Sequence, residues 1–581
     1  MMAELFAHEE RVSRPDDEAR PAPPSGANPF RTDHHEYNPP VATGVASTSL
    51  GGKAPVVPAT PLKASRSSGT ILEGRLRTAW FVGVAVFAVQ LVLLVVHSEY
   101  LWNHYDLTAD FGQYSQAWQQ IATGHLSPYD TTYPWNYPHY GYPFYQADLE
   151  LIMWPLALLY WVWPHAIDLL LVQDLALAGA GLVAYRWALE HLQIHAPSRR
   201  FAVVVGGCVL GILVLQPWTY WAASYDYHSE PLATLFIMLA GRDLWTDRRR
   251  GWIWVALALM CGNVAASYVV GLGIAALICG RRRWRVGAAL VLVGIVWLAL
   301  VGIVHSGKGA ALGAYAYLAD RTTVNDTFGG IVTIVAGMAA HSSITRHVLV
   351  GRFGQVYKFV GGAGTVGVFS AVGGALTVTV LLPSALNSSP GFISDVGGSQ
   401  NYLAVVAGAV GVAMLATWLT RLGQARRPAL RAGLTALAVV LALGALVETA
   451  VMSAYWTPKS GQMFARVGSA TASELAAVDS RIPPQAETIV SQGVVGRFAQ
   501  RHNFYPYFDV YADGQTVPLF GRTVYVVLVP TEGLEAAPPT GTAGAVSLMR
   551  RLGARQIGDR DGVYAFAWQV PKDRHSITFP P

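Results

Sequence analysis

Thr78-Ala-Trp-Phe-Val-Gly-Val-Ala-Val-Phe-Ala-Val-Gln-Leu-Val-Leu-Leu-Val-Val-His97 is the stretch from which the fold class follows. It matches the ~20 apolar residues that a helix needs to cross the hydrocarbon of a bilayer. Arg75 and Arg77 directly precede it. Basic residues hold a helix end in the cytoplasm, so this first helix is expected to exit outward. The whole chain agrees with that reading: of 581 residues 52% are apolar and only 13% are charged, against about 25% charged in soluble domains. An ordinary soluble enzyme is excluded, and a polytopic membrane protein is expected. The net charge of +5 is small for the length. Its basic residues gather in short loops such as Arg248–Arg250 and Arg281–Arg285, a mark of topology rather than of a nucleic-acid surface, and no nucleic-acid partner is expected. Cys208, Cys261 and Cys279 lie in apolar runs without metal or disulfide spacing, and read as small core residues.

Outward from that helix, residues 1–70 are rich in Pro, Ala, Ser, Arg and acids. Such a composition cannot bury enough surface to offset ordering entropy, so a disordered cytoplasmic tail is expected, too long and too polar for a cleaved signal peptide. A multi-pass membrane domain is expected over 71–456. The basic loops at Arg199–Arg200, Arg248–Arg250, Arg281–Arg285 and Arg421–Arg431 should face the cytoplasm, leaving 98–147, 223–230 and 305–328 outside. Parity then makes 148–163, which ends at Trp163-Pro164, an interfacial or re-entrant segment, and 166–189 a crossing. It also makes 251–280 a hairpin of two short segments bent near Gly262-Asn263. Crossings are expected at 286–304, 359–383, 402–420 and 429–454, with 327–358 of undecided side, for about 10–11 membrane segments. After Tyr455-Trp456 the composition becomes that of a soluble domain, so 457–581 is expected as a small extracytoplasmic α/β domain. Its expected elements are helices at Ser473–Arg481 and Ala545–Leu552, strands at Glu487–Ser491 and Thr523–Val529, and a hairpin over Arg555–Val570 turning at Asp561-Gly562.

The outer loop 98–147 carries Tyr105-Asp-Leu-Thr-Ala-Asp-Phe-Gly-Gln-Tyr-Ser-Gln-Ala-Trp118. Asp106 and Asp110 stand just past the membrane exit, where a carboxylate can act on a lipid-borne substrate. Asp110 reads equally as a base or metal ligand and as the N-cap of a helix over Phe111–Thr123. If Asp106 faces the same cavity, repulsion would raise one pKa, or a divalent cation would bridge the pair. Asp226, His228 and Glu230 cluster at a second membrane boundary, where charges find partners or do chemistry. His228 suits donation to a departing phosphate oxygen or a place beside the carboxylates on a cation; the bland reading is a solvated loop before Pro231 in the first turn of a helix. Asp174 is an intramembrane acid that a hydrogen bond to a neighbouring helix would equally explain. Tyr133, Trp135, Tyr137, Tyr140 and Tyr142, interleaved with prolines, read as a sugar-stacking surface or as part of the aromatic belt. Arg321, Arg346, Arg352 and Lys358 would bind a lipid phosphate if external, or merely mark a cytoplasmic loop if internal.

Four stretches, Asp110-Phe-Gly-Gln-Tyr-Ser-Gln116, Asp226-Tyr-His-Ser-Glu230, Leu382-Pro-Ser-Ala-Leu-Asn387 and the run from Ile482-Pro-Pro to Phe504-Tyr-Pro506, resemble a bacterial family of polytopic membrane proteins. That family is known by a domain of unknown function and shares the GT-C glycosyltransferase architecture. It reads Asp-Leu-Gly followed by Gln at the first stretch and Asp-Phe-His-Pro-Glu at the second, which is the most specific. The chain departs from it at Gly262-Asn263-Val264, where the family carries Lys-Glu-Asp, and at Asn401-Tyr402, where it carries His-Tyr; a family histidine after the first outer loop gives way to the aromatic stretch near Tyr145. The resemblance implies a GT-C-like fold and a plasma-membrane glycosyltransferase using a polyprenyl-phosphate sugar donor. Asp110, Asp106 and His228 would be catalytic, with Asp226, Glu230, Gln116 and Tyr402 binding substrate. Membrane lipid is the expected partner, a divalent cation is an open option, and no metal ligand set is assigned. Two other classes stay open. A transporter would show repeated halves, and none is evident; a non-catalytic envelope scaffold would account for the departures. Convergence of Asp110 with the Asp226 cluster favours the enzyme, and dispersal favours the scaffold.

Overall fold

The computed structural model describes residues 67–132, 142–147, 149–280, 283–304, 312–324, 328–388, 393, 398–424, 428–460, 466–501, 503–507, 514–530 and 539–580. The tail over 1–66 and the aromatic residues Tyr133, Trp135, Tyr137 and Tyr140 lie outside them. Among the described residues, six helices are long and apolar enough to cross a membrane. They belong to α1 (Ser67–Asn103), α3 (Ile167–His195), α4 (Arg199–Leu215) running on into α5 (Trp218–Ser224), α9 (Trp284–Val304), α14 (Gly398–Gln424) and α15 (Pro428–Ser460). Between α1 and α3 lies α2 (Ala109–Ala122), lodged at one end of the bundle; between α5 and α9 come α6 (Glu230–Trp245), α7 (Gly251–Leu259) and α8 (Val264–Ile278). In the segment expected at 148–163, the described residues 149–163 form single turns over Met153–Leu156 and Ala157–Trp161, with Trp161 and Trp163 exposed, as an interfacial piece should. α14 is the central staff: most of its residues are buried, whereas α1, α9 and α15 expose Val and Leu side chains along one face, as lipid-facing helices do.

The expected hairpin at 251–280 is present. Its lower ends sit together, because Arg283 donates to the Trp245 carbonyl at 2.8 Å and lies 4.6 Å over the Trp245 ring. Its tip reaches the start of α6, where the Ser229 hydroxyl donates to the Cys261 carbonyl at 2.7 Å. Gly262 makes the bend at φ +106°, a conformation that costs a side-chain-bearing residue strain, and a Cβ there would stand 3.3 Å from Glu150 Cγ. Arg283 after α8 and Arg421 in the last turn of α14 lie near His191 in the C-terminal part of α3, at the opposite end of the bundle from this tip. Of the three cysteines, Cys208 and Cys261 are buried as expected; Cys279 is exposed, because it caps α8 where that helix runs out of neighbours.

The segment expected to cross at 359–383 does not cross. The next helices among the described residues, α10 (Phe328–Ala340) and α11 (Ser342–Gly351), precede it. The chain then dips inward as α12 (Phe353–Gly362), turns over Thr365–Phe369, and returns as α13 (Ala371–Leu386). Both mouths of this loop meet: the Arg352 guanidinium donates to the carbonyls of Ala385, at 2.9 Å, and of Asn387. The turn rests mid-bundle against Gly408, Gly411 and Ala445. Glu448 of α15 accepts there from Thr365 N at 2.9 Å, the Thr365 hydroxyl at 2.6 Å and the Tyr357 hydroxyl at 2.8 Å. An irregular turn within a bilayer must have its backbone groups satisfied by protein, and Glu448 does that. Lys358 is buried against Trp456, 4.4 Å from the ring, beneath Trp218 stacked on Phe359. Arg352 and Lys358 thus hold the loop in place, while Arg321 and Arg346 are exposed.

Beyond α15 and α16 (Ser469–Asp479) the chain forms a five-stranded sheet from β3 (Glu487–Ser491), β4 (Phe504–Tyr507), β6 (Thr523–Leu528), β7 (Arg555–Arg560) and β8 (Val563–Gln569), in the order β4-β3-β6-β8-β7; β1 (Tyr129–Asp130) pairs with β2 (Tyr142–Pro143), and β5 (Gln515–Pro518) with β9 (Ser576–Phe579). β3 runs parallel to β4 and β6, and β8 antiparallel to β6 and β7. The β7–β8 turn falls at Asp561-Gly562, both at positive φ, as the Asp-Gly pair predicts. α17 (Pro539–Arg551) covers one face. The other face packs α16, Val494, Val495 and Phe498 together with Tyr105 and Ala109, so α2 begins wedged between the helical bundle and this α/β region.

Candidate functional site at the start of α2

Thr108 is the N-cap of α2, its hydroxyl accepting from Asp110 N at 3.3 Å. Asp226 completes the cap: its carboxylate accepts from Thr108 N at 3.1 Å, Phe111 N at 3.3 Å and the Thr108 hydroxyl. An acid at a helix N-terminus satisfies orphan amides and opposes the positive end of the helix dipole. The capping work is therefore done by Thr108 and Asp226, and Asp110 is left pointing elsewhere. Asp226 itself sits at φ +45°, held by Gln173 of α3, whose side chain donates to the Asp226 carbonyl at 2.7 Å and accepts from His228 N at 2.7 Å. Burial pushes the Asp226 carboxyl up to about 6, opposed by the Thr108 hydrogen bonds and reinforced by the nearby charge of Asp110.

Asp110, in the first turn of α2, is partly exposed. Its Oδ2 accepts from the Tyr225 hydroxyl at 2.9 Å. Burial by the surrounding protein raises its carboxyl above the ordinary range, and the Tyr225 hydrogen bond pulls the other way. The Tyr225 ring stacks on His228, with centroids 5.2 Å apart and planes 10° from parallel. His228 Nδ1 lies 3.8 Å from Glu230 Oε2, and its Nε2 is buried without a hydrogen-bond partner among the described residues. Tyr114, one turn along α2 from Asp110, packs edge-on to His228 and donates to Glu150 Oε1 at 2.8 Å. Asp110, Asp226, His228 and Glu230 therefore meet at one place, between α2, the 225–229 segment and the α7–α8 tip.

The other candidates lie apart from this row. Asp106 is fully buried and paired with Arg466, Nε to Oδ1 at 2.9 Å; burial raises its carboxyl, and Arg466 opposes the rise. Gln116 faces the α/β region, donating to the Thr131 hydroxyl at 3.0 Å and the Arg501 carbonyl at 3.3 Å. Tyr402 is buried within the bundle, its hydroxyl donating to the Leu177 carbonyl at 3.1 Å and accepting from Thr219. Asp174 accepts from Ser98 of α1 at 2.7 Å, the interhelical bond that its sequence position allowed. Among the described residues, no group of three or more His, Cys, Asp or Glu side chains is arranged to hold a metal ion. Sequence reasoning passed over Tyr225, Gln173, Glu150 and Arg466. Gln173 carried a signal, being a second polar residue beside Asp174 inside an apolar helix, whereas nothing local marks Arg466.

A family model described as "Predicted membrane protein (DUF2079)" matches residues 101–518. No curated protein matches the sequence. Among solved structures, the chain is similar to ArnT from Cupriavidus metallidurans bound to undecaprenyl phosphate, at 14% identity and a TM-score of 0.35, covering 88% of this chain and 99% of that one. It is also similar to the Archaeoglobus fulgidus oligosaccharyltransferase in the apo form, at 12% identity and a TM-score of 0.35, covering 85% and 76%.

Proposed function

The chain belongs to the DUF2079 family of predicted membrane proteins, and on that premise we propose that it is a glycosyltransferase-like protein of the plasma membrane. In this reading the Arg-rich turns face the cytoplasm, and α2 with the α/β region stands outside. It takes a sugar from a polyprenyl-phosphate donor and passes it to an acceptor hydroxyl. Asp110 carries the reading: a partly exposed carboxylate at the bundle end, raised by its surroundings, bonded to a tyrosine hydroxyl and paired with no cation among the described residues. An acid so placed suits a general base. The acceptor oxygen bonds to the anomeric carbon as its proton passes to Asp110. The bond from that carbon to the phosphate oxygen breaks and its electron pair leaves with the phosphate, while His228, stacked on Tyr225 and 3.8 Å from Glu230, backs the tyrosine that holds Asp110. Asp226 and Glu230 form the polar wall, while Gln116 and Tyr402, which bond elsewhere, contact no substrate in this reading.

The test compares lipid-linked sugars and envelope glycans in a deletion strain complemented with wild type or Asp110→Asn at matched membrane levels. Loss of a glycan on deletion, restored by wild type and not by the variant, is the expected result. Full restoration by the variant removes Asp110 from the chemistry. A deletion that alters no sugar favours a transporter or an envelope scaffold.

A further inference from the structure

Two chain segments build the Asp110 site, and within the bundle they are joined by the Asp226 carboxylate at the start of α2 and by the Tyr225–Asp110 hydrogen bond. One runs from Tyr105 into α2, and the other from Ser224 to Glu230. Arg466, which enters from the α/β region, touches both. Its Nε lies 2.9 Å from Asp106 Oδ1, its backbone N–H donates to Asp106 Oδ2 at 3.3 Å, and its Nη2 donates to the Ser224 carbonyl at 3.0 Å. Both side chains of the ion pair are buried, at 7% and 0% exposure. Around it the same region also grips the start of the first segment. Gly496 N–H donates to the Leu107 carbonyl at 2.8 Å, where a Cβ would stand 2.5 Å from Leu107 Cβ. Arg497 donates to the Trp102 carbonyl at 3.2 Å and lies 4.0 Å over the Tyr105 ring. The Tyr105 hydroxyl donates to Asp479 at 3.1 Å, and Arg501 donates to the same carboxylate at 2.9 Å. Among these contacts only the one at Arg466 spans both segments.

We propose that Arg466 is a positioning residue, which ties the segment bearing Asp110 to the segment bearing Tyr225, so that docking of the α/β region assembles the site. Asp106 is then the anchor for Arg466 rather than a second base. The functional half of the proposal rests on the glycosyltransferase reading; the mechanical half does not. The geometry gives the two halves separate signatures. Lysine at 466 can reach Asp106, but as a single ammonium it cannot reproduce a guanidinium that serves Asp106 and the Ser224 carbonyl at once.

The experiment is amide hydrogen exchange on the full chain in lipid nanodiscs, read over 105–122, over 222–230 and over the control helix α14. Arg466→Gln is expected to speed exchange roughly tenfold in both site segments and to leave α14 unchanged. Arg466→Lys is expected to restore 105–122 and not 222–230. The doubly neutral Asp106→Asn/Arg466→Gln protein, which leaves no buried unpaired charge, should match Arg466→Gln over 222–230 and serves in its place if that variant does not fold. Unchanged exchange over 222–230 in both variants, or a rise spread equally over α14, overturns the proposal. In the glycan assay Arg466→Gln should fall with Asp110→Asn. If Asp110→Asn is fully active while the exchange pattern holds, the glycosyltransferase reading fails and the tie at Arg466 stands.

Discussion

Four acids of similar sequence appearance have different roles once their partners are known. Asp226 caps a helix, Asp106 anchors an arginine, Asp174 holds a serine across two helices, and Asp110 alone meets a tyrosine at a partly open position. The sequence located Asp110 and the Asp226 cluster, left their convergence as the open question, and left Asp110 open between base and cap, because the true cap acid arrives from more than a hundred residues away. Removing it should be costly: Asp226→Ala orphans two amides and a hydroxyl, and a loss of about 2 kcal/mol or more is expected in denaturation of the detergent-solubilised protein. Tyr225→Phe tests Asp110 more delicately. The hydroxyl favours the carboxylate, so its loss raises the Asp110 pKa further, and the acid limb of a sugar-transfer pH profile should move to higher pH. A profile that stays in place would detach Asp110 from the rate.

At the scale of elements, the Arg-rich turns and Gly262-Asn263 made the α7–α8 hairpin legible, since parity demanded two short segments there. Gly262→Ala places a side chain at φ +106° and against Glu150, and about 1–2 kcal/mol of destabilisation is expected, with the glycan phenotype weakened because the tip borders the site. The loop over Phe353–Leu386 was not legible as such. Its hydropathy is that of a crossing, and what reveals its return is a set of distant contacts, at Arg352 and at Glu448, that no local pattern encodes. Labelling decides it: in a cysteine-free background, Gly351→Cys and Ser388→Cys, both exposed, should react with an impermeant maleimide from the same side, and Arg249→Cys from the other. Opposite reactivity at 351 and 388 would restore a simple crossing.

The molecule as a whole carries several carboxyls raised by burial outside its membrane helices: Asp106, Asp110, Asp226 and Glu487. A folded-state pKa above the unfolded one means that the native state binds more protons in between, so stability is fullest below the unfolded value and is lost as pH rises through the folded one. For Asp226 that window runs from about 4 to about 6. The melting temperature in detergent should fall from pH 5 to pH 7, with a shallower fall for Asp226→Asn; a flat or rising curve in the wild type would contradict it. In the α/β region β3, β6 and the β7–β8 hairpin with its Asp561-Gly562 turn were legible, because alternation and turn residues are local signals, whereas the short strands β4, β5 and β9 were not read. The docking of this region on α2 was not legible either, since the arginines that grip Trp102, Asp106 and Tyr105 are scattered singly through it.

The turn at Thr365–Phe369 has a consequence for biosynthesis. Glycines 408 and 411, Ala445 and Glu448, on which it rests, all leave the ribosome after it. Until α15 is made, the Thr365 amide has no acceptor at that depth, so the loop has no seat in the bilayer when it first emerges. Insertion of this chain is therefore not a simple succession of helices in order of synthesis. A nascent chain halted before residue 428 should leave the 353–386 segment open to protease from the side of its mouths, and one extended past residue 460 should close it.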